Sequence, residues 1–136
     1  TRNHSSAASD VYKRQYTIGA LWLLACDTRI GEQGAYKFSM IETAMGMVLP
    51  DWAMEPLKAR VNPTRFLPVV TQSATLDPAG AVDAGFLDRL VAEGEAIDAA
   101  IELAAELGKL PGKAYAGNKL VSRQQSLQIM TASLGL

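Results

Sequence analysis

Residues 19–49 read GALWLLACDTRIGEQGAYKFSMIETAMGMVL, and the fold depends on how this stretch divides. A glycine opens a run, Gly19 to Cys26, that is apolar all round, so the pattern predicts a buried helix. Trp22 sits mid-run among leucines and is expected in the core. Asp27 to Gly31 predicts a short strand, and Glu32 to Ala35 a turn. Tyr36 to Met40 alternates aromatic and polar residues, which predicts the partner strand of a short polar hairpin. Glu42 to Met45 predicts one helical turn ended by Gly46. The apolar loop Met47–Pro50 follows.

Two features of the stretch can carry chemistry. Glu42 has Met40, Ile41, Ala44, Met45, Met47, Val48 and Leu49 as its neighbours. An acid among such residues loses water, and that loss penalises its charged form, the tuning wanted for proton transfer near neutral pH. The plainer reading makes Glu42 a cap for its own helical turn. Gly19 also has two readings: it simply starts a helix, or its turn offers free N–H groups and a positive dipole end to a developing oxyanion. Cys26, with an apolar flank, reads as a small core residue. Trp52, just past the apolar loop, fits pocket and core equally.

Working outward, Asp51 predicts the N-cap of a helix through Val61, with Pro56 awkwardly inside it. Asn62-Pro63 and Asp77-Pro78 each repeat a cap-then-proline start. The first helix is expected to run to about Ser73, across Pro68, and the second to stop at Gly85. Phe86 to Val91 predicts a strand. Glu93 to Lys109 is the clearest amphipathic helix, with Ile97, Ala100, Ile101, Ala104 and Leu107 on one face. A last helix is expected over Lys113 to Ser133, seamed by Leu120, Leu127, Met130 and Leu134.

The chain has 136 residues, 49% of them apolar and 20% charged, with a formal net charge of -1. That suits a single globular unit and gives no basic field for nucleic acid or anionic lipid. One cysteine allows no internal disulfide, which fits a cytoplasmic setting. No apolar run is long enough to span a bilayer. Residues 1–15, TRNHSSAASDVYKRQ, lack any period, and SSAASDVYKRQ reads like an in-frame translation of a sequencing-library adapter. They are expected to be a non-native, disordered leader. The single histidine, His4, falls inside it. Without another, Ser-His-Asp and Cys-His mechanisms and Cys/His zinc sites are excluded from what remains, leaving carboxylates and backbone amides.

Three segments in order, GALWLLACDTRIG, YKFSMIETAMGMVLP and DPAGAVDAGFLDRLV, resemble the C-terminal half of the crotonase (enoyl-CoA hydratase/isomerase) family. The resemblance implies a partial α/β fold: a ββα spiral core over residues 16–110, then a trimerisation-type helical segment, residues 111–136. It implies an acyl-CoA thioester as substrate, in fatty acid metabolism, with no separate cofactor and no metal. A homotrimer or hexamer is implied for the full-length protein. It also implies an oxyanion hole in which one backbone donor falls on Ile18 or Gly19, where relatives usually carry glycine or alanine at the position of Ile18. Hydratases of this family use two glutamates. Here the positions matching them are Leu21, which cannot transfer a proton, and Glu42. Single-glutamate Δ3,Δ2-enoyl-CoA isomerases need only the latter, and IETAMGMVLP is closer to theirs. Leu21, Met47, Leu49, Pro50 and Trp52 are expected to line the substrate pocket, the loop keeping water out. The alternatives are a hydratase-like enzyme with another acid in place of Leu21, or a catalytically inert fragment. The half upstream is expected to hold most coenzyme A contacts and the other oxyanion donor, so the piece alone is expected to be inactive.

Overall fold

The computed structural model describes residues 14–136, with side chains from residue 19 onward; His4 and the rest of 1–13 lie outside the described residues. Strand β1 (Arg14–Tyr16) leads directly into helix α1 (Thr17–Ala25). Strands β2 (Ile30–Glu32) and β3 (Lys37–Ser39) follow, then a 3-10 turn (Thr43–Met45) and helix α2 (Asp51–Arg60). Helix α3 (Pro63–Phe66) passes into a π-helical turn (Leu67–Thr71), strand β4 (Thr75–Leu76), helix α4 (Pro78–Asp83) and strand β5 (Arg89–Val91). Two helices, α5 (Ala96–Leu107) and α6 (Gly112–Ser133), complete the chain.

The expected hairpin does not form. β3 pairs in parallel with β1 and antiparallel with β4, while β2 pairs in parallel with β5. The short 33–36 connection therefore joins strands of two different sheets. Arg14 and Gln15, expected to belong to the unstructured leader, form part of β1.

Local chemistry accounts for two of the helix starts. The Asn62 side chain accepts the Thr64 amide, and the Asp77 side chain accepts the Gly80 amide, each with proline next in line. Helix α2 begins without a side-chain cap: Pro50 holds the cap position, and Asp51, expected there, is the first helical residue. The helix expected to run to Ser73 instead converts at Leu67. Pro68 has no amide proton to donate, and the register relaxes to π spacing, with Gln72 N–H bonded to Leu67 O.

The core forms where α1, α2 and α4 meet the β1-β3-β4 sheet. Phe38 and Phe86 stack at 4.3 Å between ring centroids, tilted by 49°. Met40, Leu57, Val69, Ala20 and Ala84 are buried around the same core. Gly85 ties this core to α2. Its φ is +85°, and a Cβ there would stand 2.5 Å from the carbonyl oxygen of Arg60. Gly85→Ala is expected to destabilise the chain by about 1–3 kcal/mol, read as a lower urea midpoint; an unchanged midpoint would mean that this crossing relaxes freely.

Four sequence expectations about burial fail. Cys26, expected as a small core residue, is exposed at the end of α1. Trp22 is 76% exposed, because α1 turns one face to a cavity rather than to the core. The apolar face of α5 is open as well, with Ile97 69% and Ile101 62% exposed. The α6 seam is largely uncovered, Leu120 and Leu134 both being exposed. Amphipathic period locates an apolar face but not the surface that covers it.

Candidate active site

The parallel pairing of β1 and β3 creates the site. Tyr16 stands opposite Ser39 in the ladder. Ile18 and Gly19 come within three residues of Tyr16, and Glu42 comes three residues after Ser39. In a parallel pair both chains leave by the same edge, about 4.8 Å apart. The opening turn of α1 and Glu42 are therefore delivered to one edge of the sheet. The first amides of a helix lack partners within it and carry the positive end of its dipole. Backbone donors and an acid thus share this edge.

Glu42 is 3% exposed, and neither Oε1 nor Oε2 has a hydrogen-bond partner. The amides of Met45 and Met47 bond its main-chain oxygen, at 3.0 and 2.8 Å, while its side chain makes no cap bond. The plainer capping reading is therefore not what the side chain does. A buried carboxylate without partners costs about 1–3 kcal/mol or more. Such orphans are uncommon and call for an explanation.

The residues expected to line a pocket divide. Leu21, buried, and Trp52, half-buried, line a cavity of about 1020 Å³ between α1, α2 and α6. Met47, Leu49 and Pro50 do not line it. Leu49 packs against the core. Met47 is 50% and Val48 94% exposed, so within the described residues this loop does not exclude water. Gly46, with φ of +72°, closes the turn after Glu42, and the chain then runs outward.

Sequence reading missed the far end of that cavity. Asp27 accepts hydrogen bonds there from Tyr115, Lys119 and Arg123 of α6, each at 2.8 Å. These residues recur every fourth position along α6, a stripe visible in the sequence but without an assignable partner. The hydrogen bond from Lys119, helped by Tyr115 and by the charges of Lys119 and Arg123, holds the Asp27 carboxyl below its ordinary value, against the opposing effect of burial. Its stabilisation is complete above the ordinary value of 3.8 and is lost as pH falls through the lowered folded value. Docking of α6 is expected to be flat with pH above about 5 and to weaken below about 4, followed by tryptophan emission. The Asp27→Asn variant is expected to lose this acid limb; an unchanged limb in the variant would contradict the assignment.

The fold has close counterparts of known structure. An enoyl-CoA hydratase/isomerase family protein from Pseudomonas syringae superposes with a TM-score of 0.85 at 32% identity, over 90% of this chain and 53% of its own. A probable enoyl-CoA hydratase from Mycobacterium tuberculosis gives 0.83 at 29% identity, over 90% and 51%. A structure described as the M. tuberculosis enoyl-CoA isomerase gives 0.84 at 29%, over 90% and 54%. The structural neighbours are thus enoyl-CoA hydratase/isomerase (crotonase) proteins, and the chain has the fold of part of one. It spans about half the length of each. No family model matches the sequence, and no curated protein matches it. Among the described residues no helix is long and apolar enough to cross a membrane.

Proposed function

We propose that the chain is part of an acyl-CoA-processing enzyme, a Δ3,Δ2-enoyl-CoA isomerase with Glu42 as its single proton carrier. The observation that supports this reading most is the Glu42 carboxylate, buried and with both oxygens free of partners. In the proposed reaction the C2–H bond of a 3-enoyl thioester breaks and the proton passes to a Glu42 oxygen. The electron pair delocalises as a dienolate onto the thioester oxygen, where the amides of Ile18 or Gly19 receive it. Glu42 returns the proton to C4, and the double bond moves to C2. One such donor is typically worth about 2.7–4 kcal/mol.

Leu21 offers no second acid for splitting water. The other buried carboxylate among the described residues, Glu55, is held by Lys58 at 3.1 Å. That engagement favours one free acid over a two-acid hydratase. The rest of a full-length enzyme would supply most coenzyme A contacts and the second amide of the oxyanion hole, in a cytoplasmic trimer or hexamer.

The test compares isomerisation of 3-enoyl-CoA with hydration of 2-enoyl-CoA, using the chain alone and the chain joined to its genomic upstream half. The joined protein is expected to isomerise and to hydrate far more slowly, and the 136-residue chain to do neither. Hydration as the faster reaction would reject the isomerase reading.

A further inference from the structure

The cavity beside α1 is apolar along most of its length and cationic at one end. Leu21, Leu24, Trp52, Leu127 and Met130 line the apolar part. Arg60, Lys119 and Arg123 line the far end, with Asp27 as the one acid among the lining residues. Arg29 and Asp88 stand close behind, paired with each other at 2.7 Å. Four cations therefore meet two carboxylates, a surplus of two positive charges.

That surplus is unevenly shared. Asp27 is saturated by three donors from α6, and Asp88 is occupied by Arg29 through both oxygens. Arg60 has no carboxylate within salt-bridge distance among the described residues; its side chain donates to the carbonyl of Cys26, at 2.8 Å. Burial, then the neighbouring charges of Arg29 and Arg123, depress the Arg60 guanidinium below its ordinary value. Asp88 and Asp27 offset part of this but neither touches Arg60, and a half-buried cation without a contacting carboxylate is unfavourable where it stands. A guanidinium also has several donors in a planar fork, matched to a carboxylate.

We propose that this cavity binds a linear aliphatic carboxylate of medium length, its chain along Leu21, Leu24, Trp52 and Met130 and its carboxylate on Arg60 and Arg123. Chain and head group each meet complementary surface: methylenes against leucine, methionine and indole, and the anion against the surplus charge. The volume, about 1020 Å³, is at the upper end of small-molecule sites. The site uses neither Glu42 nor the opening amides of α1. Its apolar part shares Leu21 and Trp52 with the expected substrate pocket and so rests on the proposed function, while the anion-binding end at Arg60 and Arg123 is tested separately from isomerisation. A free acid and the free end of a dicarboxylic acyl thioester share this chemistry.

Both tryptophans of the chain, Trp22 and Trp52, line the cavity, so intrinsic emission reports occupancy. The test titrates the intact chain with decanoate, and separately with decanol, below their aggregation limits. Decanoate is expected to saturate at least ten-fold more tightly than decanol and to weaken with added salt. Arg60→Met is expected to reduce decanoate affinity at least ten-fold while leaving decanol affinity unchanged. The monothioester of decanedioic acid with coenzyme A distinguishes the sources: Arg60-dependent binding tighter than that of decanoate assigns the site to an acyl chain end, and weaker binding assigns it to a free acid. Equal affinity for decanoate and decanol, or no saturable change in emission with either, overturns the proposal. So does an Arg60→Met variant with unaltered far-ultraviolet dichroism that binds decanoate as before. The alcohol comparison needs no variant, so misfolding of Arg60→Met would not shield the idea.

Discussion

Glu42→Gln in the joined protein is expected to lower the isomerisation rate by roughly 10²–10⁴-fold while leaving acyl-CoA binding within a few-fold. The amide keeps the shape of the side chain and removes its capacity to accept and return a proton. The same change is expected to make the chain more stable. Both carboxylate oxygens of Glu42 are buried and unpartnered, a burden of about 1–3 kcal/mol in the folded state. A neutral amide carries less of that burden, and Glu42→Met, apolar and of similar length, carries almost none. Denaturant titration is expected to rank Met above Gln above Glu. Opposite movement of activity and stability is the pattern of a residue kept for chemistry rather than for folding. A Gln variant that loses both together would mark Glu42 as structural.

Arg29→Met is expected to cost about 3 kcal/mol, the lower bound for breaking a buried ion pair. Arg29 is 5% exposed. Its Nε and Nη2 donate to the two oxygens of Asp88 at 3.0 and 2.7 Å, and its Nη1 donates to the carbonyl of Gly85 at 2.8 Å. Its own amide donates to Asp88 as well, at 2.7 Å. One side chain thus fixes the approach to β2, the turn after α4 and the approach to β5. Removing it leaves the Gly85 carbonyl without its donor and Asp88 without a counter-charge, held only by the amide of residue 29. The Asp88 side chain retains 38% exposure, so water recovers part of the loss, which is why the lower bound is expected. Arg29→Lys is expected to restore only part of the stability, since an ammonium cannot reproduce the paired fork. Equilibrium unfolding in urea measures both; a Met variant as stable as the parent would remove Arg29 from this account.

What the sequence reveals follows from how local each determinant is. Asn62-Pro63, Asp77-Pro78 and Gly46 act within a few residues, and their caps and turn stand where the residues predict them. Glu42 is legible as an acid among apolar neighbours for the same reason. Strand partners are not local. β2 finds β5 across the length of the core, and strands of two or three residues carry too little period to name a partner. The hairpin reading of 30–39 fails on that ground, since a short connection is equally able to join two sheets. Arg29 gives no warning either; a lone arginine before Ile30 looks like surface until Asp88 and Gly85 arrive from the other end of the core. The cationic end of the cavity has the same character, being assembled from Arg60 on α2 and from Lys119 and Arg123 on α6. Trp22 shows the converse, a residue whose apolar neighbours suggest burial although its own face of the helix opens onto the cavity.

Isomerisation of 3-enoyl-CoA by the joined protein in D2O tests the central claim most directly. A single buried acid hands the proton taken from C2 to C4 before solvent replaces it. Mass spectrometry of early product is therefore predicted to find a substantial share of molecules without deuterium at C4. Complete deuteration at C4 from the first turnovers would contradict a shielded single-acid shuttle at Glu42.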